Sequence, residues 1–263
     1  VLHRTMEEIY NRVGRVVTKG ALEQMRGQVR SIIEEQYLEV IYPQPQRQAG
    51  PRQRAALGGL DRIYCQMIES YVRSILEYDI QIAPFIYLGS EQSGKTTFLL
   101  EDGRKVYFKG TIDRMDSLEM KQGGNVGEVR IRVVDYKTGG AELKLSSWDK
   151  LHDSKYKAIV QTLIYCAFSV NSGQPAQSLY PAIYLLRGTE GLMVSTERFD
   201  PLVRLPDSDE KNTTPRPYAE VQGTFEEFMT EVLSELFDPS VPFRQTDDQK
   251  VCSYCPFASS CGR

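Results

Sequence analysis

No stretch of 18 or more apolar residues occurs anywhere in the 263-residue chain, so no membrane span is expected. No signal peptide is expected either, since the sequence shows no basic start followed by an apolar middle. Val1 stands first in place of Met, and the chain is expected to be a piece of something longer. It also lacks net positive charge, with a formal balance of −3 at pH 7. A negative total gives no general attraction to phosphate, so any nucleic-acid contact must come from basic groups arranged locally. A secreted disulfide framework is excluded by the cysteines, which number five, with three of them in the last dozen residues. That pattern fits a reducing cytoplasm and a metal or cluster role better. Internal repeats are absent. What remains, 41% hydrophobic and 25% charged residues, is ordinary for a soluble globular protein. The length suits one large domain, or one domain with an appendage.

The first 80 residues read as helices. Met6, Ile9, Tyr10, Val13 and Val17 recur at helical spacing. A second helix is expected from Ala21 to Tyr42, burying Met25, Val29, Ile32 and Ile33 and stopping at Pro43. A polar, proline-rich loop follows from Pro43 to Arg54, then an amphipathic helix carrying Ile63, Met67, Tyr71 and Ile75 that ends near Tyr78. The pattern next switches to short strands at Phe85–Leu88, Thr96–Leu100, Val106–Ile112 and Val129–Val134, with Gln122–Asn125 as a hairpin tip. A helix from Ser154 to Val170 and strands at Leu179–Leu186 and Leu192–Ser195 complete a core over residues 81–200. In residues 201–263, Thr224 and Glu227 form a capping box for a helix bearing Phe228, Met229, Val232, Leu233 and Leu236, ahead of the cysteine-rich tail. This order implies an α/β or α+β core with a mixed sheet.

The chemistry concentrates at two strand ends. In Val133-Val134-Asp135-Tyr136-Lys137-Thr138-Gly139-Gly140, alternation puts Asp135 and Lys137 on one side and Tyr136 on the other. The glycines end the strand, so the pair sits where loops open and sites collect. Lys109-Gly110-Thr111-Ile112-Asp113-Arg114-Met115-Asp116 also runs from an apolar strand into an acid. If the strands are neighbours, Asp113 and Asp135 converge and need a cation, and hard oxygen ligands suit Mg²⁺ or Mn²⁺. Taken alone, Asp135 and Lys137 would be an exposed ion pair worth about 0–1 kcal/mol. Arg114 could bind a phosphate through its fork of donors or pair with Asp116. Lys155 and Lys157 could touch a DNA backbone or form a solvated helix start.

These two stretches, with Gln161 and Tyr165 four apart on the following helix, resemble the motif series of the PD-(D/E)XK nuclease superfamily, and within it the RecB/AddB-like branch. The resemblance implies a restriction-endonuclease-like core, a mixed sheet flanked by helices, with a helical N-terminal extension and the cysteine tail. It implies that Asp113 and Asp135 bind the divalent metal, that Lys137 is the catalytic lysine, and that Tyr136 lends its backbone carbonyl. It gives Gln161 and Tyr165 a role in supporting the site and contacting DNA. The family also places a histidine ligand on an early helix within a G-x-x-x-H pattern. His3 fits that place, although the glycine would precede Val1. His152 has no motif around it and is expected on the surface.

Cys252, Cys255 and Cys261 follow C-x-x-C-x5-C, which supplies three thiolates where structural zinc or a cubane cluster needs four. In the branch it resembles, these are the last three ligands of a [4Fe–4S] cluster. Cys65 and Cys166 lie mid-helix among apolar neighbours and are expected to be packing residues.

The expected function is a Mg²⁺- or Mn²⁺-dependent DNA nuclease, an exonuclease acting on DNA ends in recombination repair alongside a helicase domain or a separate helicase subunit. Two alternatives stand next to it. One is a CRISPR-associated spacer-acquisition type of exonuclease, which shares these motifs. The other is a non-catalytic DNA-binding or scaffold module that keeps the fold.

Overall fold

The computed structural model describes residues 1–43, 57–122, 125–186, 200–209 and 211–263. The expected strand at Leu192–Ser195, the loop from residue 44 to Arg54 and the glycines of the hairpin tip lie outside the described residues.

The chain opens with α1 (Leu2–Val13), whose inward stripe of Leu2, Thr5, Met6, Ile9 and Tyr10 is buried. Each large apolar side chain taken fully out of water contributes roughly 1.5–3 kcal/mol, so this short helix is held by packing more than by propensity. Gly14, at φ 90°, ends it, so Val17, expected on this helix, instead lies in β1 (Val16–Val17). The single helix expected over 21–42 is two: α2 (Lys19–Arg26) and α3 (Val29–Ile41). The break falls at Gly27 and Gln28, where glycine weakens a helix interior. Next, α4 runs over Gly59–Ile82 and buries Cys65, Ile68, Val72, Ile75, Leu76 and Asp79. Ile63 and Met67, expected on its inner face, are exposed. Cys65 and Ile68 face the core in their place, while Ile75 is buried as expected.

The sheet has five strands in the order β1-β2-β3-β4-β5. Here β2 is Phe85–Leu99, β3 Lys105–Gln122, β4 Asn125–Lys137 and β5 Leu179–Leu185. The segments expected at 85–88 and 96–100 belong to one strand. The polar stretch between them reads as a turn by composition, yet it pairs with β3 from Ser90↔Arg114 to Lys95↔Lys109. A register shift between Tyr87 and Gly89 marks a bulge. β3 pairs antiparallel with β4, and β4 pairs parallel with β5. The crossover between the parallel pair is α5 (Lys157–Asn171), preceded by a 3₁₀ turn at Ser154–Tyr156. β5 is an almost continuously buried run, as a strand covered on both faces should be.

Two strands, β6 (Arg204–Pro206) and β7 (Thr213–Pro215), form a small ribbon before α6 (Tyr218–Leu236). α6 begins after Pro217, so Thr224 lies inside it and caps nothing. Proline at that position fixes φ and ends the preceding extended segment, and Tyr218, Val221 and Phe225 extend the buried stripe backwards. The tail holds the four-residue α7 (Gln249–Cys252) and a 3₁₀ turn at Ser259–Cys261.

Two cores result. One joins α1 to α4 with Phe85, Tyr87, Val134, Tyr136 and Tyr184 of the sheet. The other joins α5 and α6 with Met115, Ile131, Val133 and Ile183.

A buried charge cluster fastens the first core. Arg114 Nη1 and Nη2 donate to Asp79 Oδ2 and Oδ1 at 2.8 and 3.2 Å, and its Nε donates to Asp116 Oδ2 at 2.8 Å. Asp116 stands directly across from Arg132 in the β3–β4 register and accepts two bonds from it at 2.6 and 2.8 Å. Burial pushes the Asp116 carboxyl up, but Arg132 and Arg114 outweigh it and hold that group below the usual range. The hydroxyls of Tyr10, Tyr136 and Tyr184 accept from Arg114 at 2.6, 3.1 and 3.0 Å, and Tyr10 and Tyr184 in turn donate to Asp79. Two arginines and two aspartates neutralise one another out of water, an arrangement that holds only when geometry and hydrogen bonding are near complete. Removing one partner leaves a buried charge uncompensated. Asp79→Ala is therefore expected to lower unfolding free energy by about 3–5 kcal/mol in urea denaturation. A loss below about 1 kcal/mol would contradict the fastening role.

Candidate active site

The strand register builds the site. Arg114 pairs with Val134 across β3 and β4, so one step further along Asp113 faces Asp135. On the other side Ser90 pairs with Arg114 and Gln92 with Ile112, so Glu91 faces Asp113. Three carboxylates thus form one row over three adjacent strands. The backbone ladder of β3 and β4 is continued at this point by Asp113 Oδ2, which accepts from Tyr136 N at 2.9 Å. Glu91 sits at φ 50°, a backbone region seldom used by residues other than glycine and one that collects at functional positions.

His3, in the first turn of α1, completes the cluster. Its Nδ1 lies 3.2 Å from Glu91 Oε1 and 3.7 Å from Asp113 Oδ1. One donor atom from each of His3, Glu91 and Asp113 lies within 4.8 Å of the others, the one such group found among the described residues. Sequence patterning does not single out Glu91. Its signal is that it is the sole acid between Asp79 and Glu101, within a stretch that composition disguises as a turn.

Lys137 stands beside the row. Its Nζ donates to Asp135 Oδ1 at 3.1 Å and to Gln161 Oε1 at 2.7 Å, and Gln161 Nε2 donates to the Tyr165 hydroxyl at 2.6 Å. Gln161 and Tyr165 are one turn apart on α5, so this line ties the crossover helix to the end of β4. Burial pushes Tyr165 up to about 12, which keeps its hydroxyl protonated as a donor.

The electrostatics of the row fit a cation. Burial pushes Asp113 up to about 6, assisted by the Asp135 and Glu91 charges and opposed by His3 and the Tyr136 amide. Burial likewise raises Asp135, against the pull of Lys137. Asp135 Oδ2 is buried and accepts no hydrogen bond, although Lys137 Nζ lies 2.9 Å away. Crowded, dehydrated carboxylates and an imidazole are a donor set for a divalent ion that prefers oxygen.

Other expected residues fall elsewhere. Arg114 is fully buried among Asp79, Asp116 and three tyrosines, so it pairs within the core and DNA cannot reach it. The Tyr136 side chain turns into that same core, leaving only its backbone beside the site. Lys155 is exposed in the turn before α5 and pairs with Asp153 at 3.2 Å. Lys157 is exposed at the start of α5, on a groove shared with Gln161 and Tyr165. His152 stacks edge-on against Phe228, 5.1 Å between ring centres. Cys252, Cys255 and Cys261 are free thiols in the tail, while Cys65 and Cys166 are buried in separate cores. The tail therefore offers three thiols where a cubane cluster takes four.

The family model of the PD-(D/E)XK nuclease superfamily matches residues 1–262. The chain belongs to that superfamily. Its mixed sheet flanked by helices agrees with the restriction-endonuclease-like fold expected of a member. Three curated proteins similar to parts of it are each named as the B subunit of an ATP-dependent helicase/deoxyribonuclease. The one from Symbiobacterium thermophilum is 33% identical over 93 residues, 32% of this chain and 7% of the relative. That from Alkaliphilus oremlandii is 30% identical over 102 residues, 38% of this chain and 8% of the relative. That from Acetivibrio thermocellus is 35% identical over 75 residues, 28% of this chain and 6% of the relative. The matched segments thus span less than a tenth of each relative's length. Among the described residues, no helix is long and apolar enough to cross a membrane.

A proton and a cation compete for the row. With Asp113 raised to about 6, lowering the pH through that value protonates it and should weaken Mn²⁺ binding. Calorimetric titration is expected to show affinity falling from about pH 7.5 to about pH 5.5, and Glu91→Gln at the higher pH should weaken binding at least about tenfold. Flat affinity over that range, or an unaffected Glu91→Gln variant, would contradict this donor set.

Proposed function

We propose that the chain is the metal-dependent nuclease part of a DNA end-processing protein. The observation that carries this reading is the row of Glu91, Asp113 and Asp135 with His3 at one side and Lys137 at the other. His3, Glu91, Asp113 and Asp135, with the Tyr136 backbone beside them, would hold Mg²⁺ or Mn²⁺. When bound, such an ion lowers the pKa of water and stabilises charge on a phosphate oxygen.

The chain's own residues do the rest. Lys137 is fixed between Asp135 and Gln161, so its ammonium is positioned before substrate arrives and needs no reorganisation during reaction. From there it orients the attacking water or counters charge developing on the phosphodiester. Gln161 accepts from Lys137 and donates to Tyr165, which leaves the Tyr165 proton free for a phosphate oxygen. The names of the similar proteins support coupling of this activity to a helicase, with DNA as substrate, exonucleolytic cleavage of ends and a cytoplasmic setting as the accompanying reading. The three-part layout of one domain, residues 1–80, 81–200 and 201–263, is part of the same proposal, since α1 supplies His3 to a site otherwise built on the sheet and α5.

Lys137→Ala and Asp135→Asn are each expected to cut Mn²⁺-dependent degradation of linear DNA by at least about 100-fold, the scale of losing one preorganised charge-stabilising group. Thermal unfolding of both variants should stay close to that of the unaltered chain, and chelation should stop the unaltered chain. Undiminished cleavage by either variant rules out the assignment.

A further inference from the structure

The outer face of the β2–β3 hairpin is used by nothing described so far. Residues 93, 95, 97 and 99 of β2 and 105, 107, 109 and 111 of β3 are all exposed, while the alternate positions from 94 to 98 and from 106 to 112 are buried or half-buried. None of those eight exposed positions, four on each strand, carries a carboxylate, and three carry Lys95, Lys105 and Lys109. In a chain of net charge −3, that is a local excess of one sign. Lys95 and Lys109 stand directly across from each other in the register, and like charges so placed destabilise a sheet. Among the described residues, neither has a carboxylate partner within ion-pair distance. Tyr107, on the same face, is 76% exposed.

A groove lies against α5 on the other side of the hairpin and meets this face at Lys109. Lys109 lies on its β3 side and Lys157 on its α5 side, while Phe108, Val160 and Ile164 give it apolar walls and Gln161 and Tyr165 line it as well. Phe168 closes it from below, pressed so tightly on the hairpin that a Cβ at Gly94 or Gly110 would stand 2.5 or 3.1 Å from its atoms. Lys109 precedes Asp113 by four residues on one strand, about 13 Å at strand rise. Basic groups beside exposed aromatic and apolar surface suit an unpaired strand, whose phosphates meet the lysines and whose base faces meet carbon. A duplex hides its base faces and would leave the apolar walls unused.

We propose that this hairpin face and its groove form the track that holds a single strand of substrate DNA as it leads to the acid row. The proposal rests on the nuclease reading, and its test separates the two. The probe is a labelled oligothymidine, followed by fluorescence anisotropy in EDTA so that binding is read without cleavage. The double variant Lys95→Gln, Lys109→Gln is expected to flatten the dependence of log affinity on log salt by about 1.4, at about 0.7 for each phosphate that is no longer neutralised. Tyr107→Ala should bind about tenfold more weakly, the scale of removing one base–ring stack. Lys109→Arg, which keeps the charge, should retain the unaltered slope, and circular dichroism should show all these surface variants folded. A duplex of equal length should bind more weakly than the single strand. Unchanged slope and affinity in the double variant and Tyr107→Ala overturn the track, and tighter duplex binding overturns its single-strand character. If the unaltered chain also fails to cleave in Mn²⁺, the nuclease reading falls. If it cleaves while the surface variants bind normally, only the track falls.

Discussion

The ion cluster of Arg114, Asp79, Asp116 and Arg132 is the constraint on which the rest depends. It is fully enclosed, so its charges are stable only while every partner is in place. Its members come from α4, β3 and β4, with tyrosines from α1, β4 and β5. The N-terminal helices are thereby tied to the sheet at one spot by directional bonds. Hydrophobic contact alone is not directional and would tolerate sliding. With Tyr10 bonded to Arg114, α1 is fixed in height and rotation, and His3, two turns earlier, reaches Glu91 and Asp113.

The cluster and the candidate site are opposite sides of the same residues. Arg114 follows Asp113 and Tyr136 follows Asp135, so alternation sends one neighbour into the helical core and the other to the acid row. Holding Arg114 and Tyr136 in the core therefore aims both aspartates. The core side is neutral, with Arg132 Nη1 as its one nitrogen buried without a hydrogen bond. The site side is an excess of negative charge that burial makes costly, as the raised Asp113 and Asp135 show. Charge balance is closed on one face of the strand and left open on the other, and the proposed cation would close it there.

Much of this could be read from the residues. The acid–lysine pair after two valines, the second acid and the glutamine–tyrosine spacing pointed to Asp113, Asp135, Lys137, Gln161 and Tyr165. Asp113 was expected at a strand end, whereas β3 continues past it to Gln122, and Lys137 bonds to both Asp135 and Gln161. Period-2 and period-3.6 patterns found α1, β5 and α5 nearly whole. What stayed hidden depends on long-range pairing. β2 looked like two strands because Gly89 to Lys95 is polar, and only its ladder with β3 makes it continuous. Glu91 belongs to the site through register, which no local pattern encodes. For Arg114 the residues left open a phosphate ligand or a pairing with Asp116; the Asp116 pairing holds, and Asp79, a further partner 35 residues away, was out of local reach. The capping pattern at Thr224 was locally sound, but the buried stripe from Tyr218 onward began the helix earlier.

The most direct test of the central claim is anomalous diffraction from crystals soaked in Mn²⁺. The account predicts a peak bounded by the carboxylates of Glu91, Asp113 and Asp135, with the His3 ring turned toward it and Lys137 still bonded to Gln161. Diffraction data in which those carboxylates point apart, with manganese density elsewhere or nowhere, would contradict it.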